Sequence, residues 1–296
     1  DIAIAQRFKI DTFQILSGYE MLTVSSVKHL LVNVSCLEDY NLLGLFIARV
    51  FNNPFALCES RGKPVFDNLF EMSYLCVAPV IFYFMAWLIQ RLKGQNYAKV
   101  MFASRDGYLL HQLYSLLLAR TEIRDMPDGI YFKTSRRAAT VAAIRSEEDI
   151  LYVLKKPCQC ALRDLLRYRF GIEPDETDGL ADDWVVSSSD YDKIEKYILS
   201  YKDKILNNAQ DERHCYAAYI QKLGLFICQR IGMVDLVSSG TTQHFLSKLM
   251  QKDLKGFYFA TANLPNDFYE KDQIESLWGN SLFYAPANNV CRYYLL

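Results

Sequence analysis

Charge of one sign is absent from this chain. Its 33 Lys and Arg balance 34 Asp and Glu, a net charge of −1 over 296 residues. No global positive field gathers a nucleic acid, so no nucleic-acid partner is expected. Metal-ligand spacing is absent too. The eight cysteines are scattered, with Cys158 and Cys160 two apart but no CxxC pair, and the four histidines (29, 111, 214, 244) show no metal spacing and no evident serine partner. The cysteines read as reduced core thiols of a cytosolic protein. Internal repeats, low-complexity segments and a signal peptide are also missing. The chain opens at Asp1 without a Met, which reads as a processed chain or a module cut from a longer protein.

What is present points to a large packed core. Hydrophobic residues make up 51% and aromatic residues 14%, including 20 Tyr and 18 Phe. Such a chain buries one large core or two smaller ones and does not stay disordered. One run, "MSYLCVAPVIFYFMAWLI" (72–89), carries no charge over 18 residues and so reaches the length of a membrane span. It contains Ser73, Pro79 and two tyrosines, and soluble α/β sequence follows two residues later. A buried central helix over 71–92, and no transmembrane segment, is therefore expected.

Residues 1–70 mix helical and irregular stretches. From residue 93 onward, apolar strands alternate with helices. "AKVMFA" (98–103), "GIYFKT" (129–134), "IGMVDLV" (231–237) and "LKGFYFAT" (254–261) read as strands, and 108–120 and 242–252 as helices. A helical insertion over about 147–225 is interrupted by an acidic, turn-rich stretch at 172–190. The expected fold is α/β: a Rossmann-like, mostly parallel sheet flanked by helices, with a large additional helical portion. Residues 1–92 are expected to pack as a helical portion on a 93–296 core, giving one compact domain overall.

Near-continuous apolar strands fit a sheet covered on both faces, and ligands of such sheets bind at the carboxyl ends of the strands. Three polar loops follow strands here: "SRDG" (104–107), "SRRA" (135–138) and "SSGTT" (238–242). Ser238, Ser239, Gly240, Thr241 and Thr242 join hydroxyls and backbone N–H groups to the start of a helix, which suits a phosphate. The plainer reading of that loop is a helix N-cap. Arg105, Arg136 and Arg137 add forked donors suited to phosphate oxygens; ion pairs or a solvated helix start are the alternatives. Asp106 and Asp235 stand at strand ends, where a carboxylate can hold Mg²⁺ or sugar hydroxyls or accept a proton. His111 and His244 read as helix-surface side chains.

"VDLVSSGTT" (234–242) resembles the PRPP-binding signature of phosphoribosyltransferases, although Val234 occupies the first of its two acid positions and only Asp235 is kept. Taken in order, "KVMFASRDGYLLHQLY", "GIYFKTSRRAA", "LRDLLRYRFGI" and "VDLVSSGTTQHFL" resemble the glycan phosphoribosyltransferase module of bacterial polysaccharide ribofuranosyltransferases. The resemblance implies transfer of phosphoribose from PRPP to a lipid-linked glycan in O-antigen or capsule synthesis. It implies a cytoplasmic enzyme, at the inner face of the membrane, that leaves a β-ribofuranosyl 5-phosphate. The hydroxyl loop would hold the 5-phosphate. Ser104, Arg105, Arg136 and Arg137 would meet the diphosphate, with Mg²⁺ as the usual companion of this donor. Asp106 is expected as the base and Asp235 as a ribose-hydroxyl ligand, roles that can be exchanged, and Tyr108 and Gln243 as lining of the sugar site. Family members often carry a haloacid-dehalogenase-type phosphatase, fused or separate, but no apolar strand here ends in the Asp-x-Asp start of one; the Asp-x-Asp at 190–192 opens a stretch that reads as helical. Two other readings are a phosphatase of that type using "SRDG", which lacks the second acid its chemistry needs, and a non-catalytic glycan-assembly module.

Overall fold

The computed structural model describes residues 2–12, 14–58, 60–154, 160–174, 191–261 and 273–278. The chain divides into two compact units between Phe84 and Met85.

The first unit is helical. Helix α1 spans Ile2–Arg7. Ser17 opens α2 (Gly18–Val24) with a capping box: Glu20 N–H donates to its hydroxyl at 3.2 Å, and the Glu20 carboxylate accepts from Ser17 N–H at 2.7 Å. Helix α3 (Leu37–Val50) packs on α2 through Met21, Leu22, Phe46 and Val50. Helix α4 (Leu69–Met72) starts at Asn68, whose side chain accepts from Glu71 N–H at 2.9 Å. A widened π turn, Ser73–Val77, carries the chain into α5 (Ala78–Leu92). Pro79 explains the turn. It has no N–H to give the carbonyl four residues back, and Ala78 N–H reaches Ser73 O instead.

The expected buried central helix is corrected here. Of its most apolar 18-residue window, 17% is buried. The covered side chains are Phe84, Met85, Leu88 and Leu92, spaced as one stripe over the last turns. An uncharged run records that no face is polar; it does not record how many faces are covered.

The second unit is built on the sheet. Its elements are β1 (Lys99–Ala103), α6 (Gly107–Arg120), β2 (Asp128–Phe132), α7 (Arg136–Ala143), α8 (Glu147–Leu154) and α9 (Leu162–Phe170). They continue with α10 (Tyr191–Ser200), α11 (Lys202–Lys222), β3 (Ile231–Ser238), α12 (Thr241–Met250), β4 (Leu254–Thr261) and β5 (Ile274–Ser276). Every strand pairing among the described residues is parallel, in the order β2-β1-β3-β4-β5. Alternation along the strands sorts the two faces. Met101, Phe132 and Met233 join one core with α7 to α12, while Phe102 meets Tyr114 of α6 at 5.2 Å between ring centroids. Trp87, from the later part of α5, stands edge-on to Phe257 of β4 at 6.2 Å. The α/β class, the parallel sheet and the large helical complement are as the sequence led us to expect. The acidic 172–190 stretch falls outside the described residues from 175 to 190.

Two details differ. Strand β2 ends at Phe132 rather than 134, because the next two N–H groups leave the ladder. Lys133 N–H donates to the Tyr219 hydroxyl at 2.9 Å and Thr134 N–H to Ser104 Oγ at 2.8 Å. Strand β5, only "IES", is too short to show a pattern of its own.

Candidate functional site

The strand order fixes where a ligand pocket can open. From β1 the chain steps outward to β2, then returns to place β3 on β1's other side. The crevice between β1 and β3 is thus the switch point of the sheet, where doubly wound folds bind their ligands. "SRDG" leaves β1 on one side of it and "SSGTT" leaves β3 on the other, with "SRRA" next along the rim after β2.

Asp235 sits in that crevice. The pairing of β3 with β1 ends at Val234, so Asp235 stands beside the loop that follows β1. Strand alternation turns it to the face of Ile231 and Met233. Burial pushes its carboxyl up to about 7; the nearby Asp106 charge adds to the rise, while a hydrogen bond from Leu236 N–H (2.9 Å) and the charge of Arg136 oppose it. These couplings put Asp106 and Arg136, from the loops after β1 and β2, near Asp235.

Asp106 and the three arginines stand free. Asp106 is the N-cap of α6, yet its side chain makes no capping bond. Arg105, Asp106, Arg136 and Arg137 are exposed, and among the described residues no ion pair holds their side chains. Arg136 and Arg137 open α7, whose cap is the Ser135 hydroxyl accepting from Ala138 N–H at 3.1 Å.

The hydroxyl loop has a fixed shape. Gly240 holds φ 75°, a left-handed conformation that favours glycine. Its N–H donates to Ser238 Oγ at 3.1 Å, and the hydroxyls of Ser239 and Thr241 lie 3.0 Å apart. Helix α12 starts at Thr241, so its first-turn N–H groups have no partners within the helix. Thr242 lies half-buried in that turn.

Two expected site residues do other work. Gln243 is fully buried. Its amide donates to Leu254 O (2.6 Å) and Gln273 O (3.0 Å), and its oxygen accepts from the Tyr258 hydroxyl (2.7 Å). It ties α12 to β4 and to the segment entering β5, not to a sugar. Ser104 is likewise engaged: its hydroxyl donates to Thr134 O at 2.6 Å and accepts from Thr134 N–H, stapling the first two loops together. Tyr108 stays exposed at the rim, edge-on to Tyr131 at 5.5 Å. His111 is pinned to Gly129 O at 3.2 Å, and His244 packs on Tyr152 and Phe245.

Sequence reasoning missed the groups that hold the Arg136 loop. The Tyr216 hydroxyl donates to Thr134 Oγ1 at 2.6 Å, and the Tyr219 hydroxyl accepts from Lys133 N–H. Both come from α11, some eighty residues later. Their spacing, three apart on one helix face, was the only signal present.

An open recess of about 380 Å³ lies along α12 toward its far end, lined in part by Lys248, Lys252 and Asp253. Lys248 pairs with Asp149, and Lys252 Nζ donates to Cys228 O at 2.6 Å. Its lysines are thus engaged, whereas no ion pair among the described residues holds Arg105, Asp106, Arg136 or Arg137 at the switch point. Among the described residues no group of three or more His, Cys, Asp or Glu is placed to hold a metal ion. No family model matches the chain, and no curated protein matches it.

Proposed function

We propose that this chain is a PRPP-dependent phosphoribosyltransferase acting on a glycan acceptor. The observation that supports the reading is the meeting of the hydroxyl loop, Asp235, Asp106 and Arg136 at the β1/β3 switch point. The loop at 238–242 takes the 5-phosphate at the start of α12. Arg105, Arg136 and Arg137 take the diphosphate. Mg²⁺, if bound with the donor, would offset the diphosphate charge, and no residue of this chain is assigned to hold it.

The bond from C1 to the diphosphate oxygen breaks as the acceptor hydroxyl oxygen attacks C1 from the opposite face. An α-configured donor thus gives a β-ribofuranosyl 5-phosphate. Asp235 accepts the hydroxyl proton, since a carboxyl titrating near 7 suits a base at neutral pH. Asp106, exposed and uncapped, offsets the positive charge that builds on the ribose ring. This exchanges the roles expected from the sequence. The acceptor is a lipid-linked glycan of O-antigen or capsule synthesis, met at the cytoplasmic face of the membrane. Removal of the 5-phosphate falls to a separate or fused phosphatase.

Calorimetric titration with PRPP, with and without Mg²⁺, tests the reading against ribose 5-phosphate and a UDP-sugar. PRPP is expected to bind and the UDP-sugar not. Binding of the UDP-sugar without PRPP binding sinks the proposal.

A further inference from the structure

We infer that Thr134 is a further donor-binding residue, whose hydroxyl donates to a diphosphate oxygen of the bound ligand. The inference deepens the reading given above and rests on it. Thr134 lies half-buried in the loop between β2 and α7, at the carboxyl-end rim of the sheet, two residues before Arg136.

The supply of protons singles it out. A hydroxyl has one proton to give and two lone pairs with which to accept. Ser104, first in the loop after β1, gives its proton to Thr134 O at 2.6 Å and accepts from Thr134 N–H at 2.8 Å. Only a lone pair remains to it, and a phosphate oxygen is an acceptor too, so the Ser104 hydroxyl has nothing left for a phosphate. Thr134 is the reverse case. Both its backbone groups are held by Ser104, and its Oγ1 accepts from the Tyr216 hydroxyl at 2.6 Å. A phenol is the stronger acid of that pair, and burial pushes the Tyr216 pKa up, so Tyr216 stays protonated and donates. The hydroxyl proton of Thr134 is left over, and among the described residues no acceptor takes it.

The same contacts hold the donor in place without saturating it. Ser104 ties Thr134 to the end of β1 and Tyr216 ties it to α11, while the preceding N–H, of Lys133, donates to the Tyr219 hydroxyl at 2.9 Å. A side chain fixed in this way loses little freedom when a ligand arrives. A hydroxyl whose oxygen already accepts a hydrogen bond is also a better donor, because bonds in a chain polarise one another. The chain runs from Tyr216 O–H to Thr134 Oγ1–H to the ligand oxygen.

The neighbours select the class of ligand. Arg105 directly follows Ser104, and Arg136 follows Thr134 by two; both are exposed, and no ion pair among the described residues holds them. Charged forks supply the attraction and the hydroxyl adds a neutral donor beside them in the chain. A diphosphate presents oxygens enough for both forks and the hydroxyl.

The test is calorimetric titration of the whole chain with PRPP, inorganic pyrophosphate and ribose 5-phosphate, each with Mg²⁺. Thr134→Val keeps the branched shape and removes the hydroxyl. It should weaken PRPP and pyrophosphate about tenfold or more and leave ribose 5-phosphate, which lacks the diphosphate, unchanged. Thr134→Ser, which keeps the proton, should bind all three as wild type does. Thr134→Val also takes the acceptor from the buried Tyr216 hydroxyl, so the comparison is repeated in a Tyr216→Phe background, where that loss cannot arise and the effect should persist. An effect that vanishes in that background, or that weakens ribose 5-phosphate as much as PRPP, reduces the hydroxyl to a support for the loop and overturns the inference. Thr134→Val with wild-type affinity for PRPP also overturns it and leaves the donor proposal standing. Wild type that binds pyrophosphate but not PRPP, with the pyrophosphate lost in Thr134→Val, rejects the donor and keeps the Thr134 contact. Wild type that binds neither overturns both.

Discussion

At Asp235, a single residue sets both a chemical capacity and a stability cost. Its folded pKa, about 7, lies above the ordinary carboxyl value of 3.8. Between those two values the unfolded chain releases a proton that the folded chain keeps. Stability from this group therefore falls as pH rises through that window and stays low above it. Asp235→Asn, which carries no titrating proton, should lie close to wild type near pH 4 and exceed it by about 4 kcal/mol near pH 8. Chemical denaturation at the two pH values measures this; equal differences at both would refute it. Turnover, in contrast, should rise with pH through about 7 in wild type and be lost in the variant. Gln243 gives the complementary case. Gln243→Ala removes the hydrogen bonds that its side chain makes with the Tyr258 hydroxyl and the Leu254 carbonyl, at a cost of about 1–3 kcal/mol. Gly256→Ala should cost more, since an added Cβ would stand 2.1 Å from Gln243 Oε1. Both losses should appear in urea melts, with PRPP affinity unchanged in whatever fraction stays folded.

Among the elements, helix α11 acts on the site without touching it. Tyr216→Phe with Tyr219→Phe keeps the two rings, stacked 6.1 Å apart and nearly parallel, but removes both hydroxyls from the loop at 133–134. The melting temperature should change little. Hydrogen exchange at 133–138 should quicken, and PRPP affinity should fall several-fold, roughly 1 kcal/mol. Arg136→Ala tests the loop's cargo directly: donor binding should weaken by about 1.5–3 kcal/mol. In the same variant the Asp235 titration should move upward, because the opposing charge is gone. Such links show what the sequence could and could not carry. The strands were readable because each is a short apolar run between turns, and the loops because glycine, serine and arginine cluster just after them. Nothing local marks Tyr216 as the partner of Thr134, or Gln243 as a buried tie rather than a site residue. Polar type predicts bonding, while the partner is set by which elements meet. The uncharged helix was misread for the same reason: its sequence does not say how much of it a neighbour covers.

For the whole molecule, a parallel sheet sends every strand's carboxyl end to one rim, and the acids, arginines and hydroxyl loop all gather there. The expected product follows from what that rim contains. Under the transfer proposed above, the acceptor should gain a phosphopentosyl unit, and mass spectrometry that finds a bare pentosyl unit would place a hydrolytic group in this chain. The opposite rim holds the connections that lead into strands, among them the exposed turn at 121–125 between α6 and β2. Asymmetry of this kind makes the molecule easy to instrument. A fluorophore or affinity tag inserted in that turn rides on the sheet at the end away from the proposed site, and surface attachment through it turns the carboxyl-end rim away from the support.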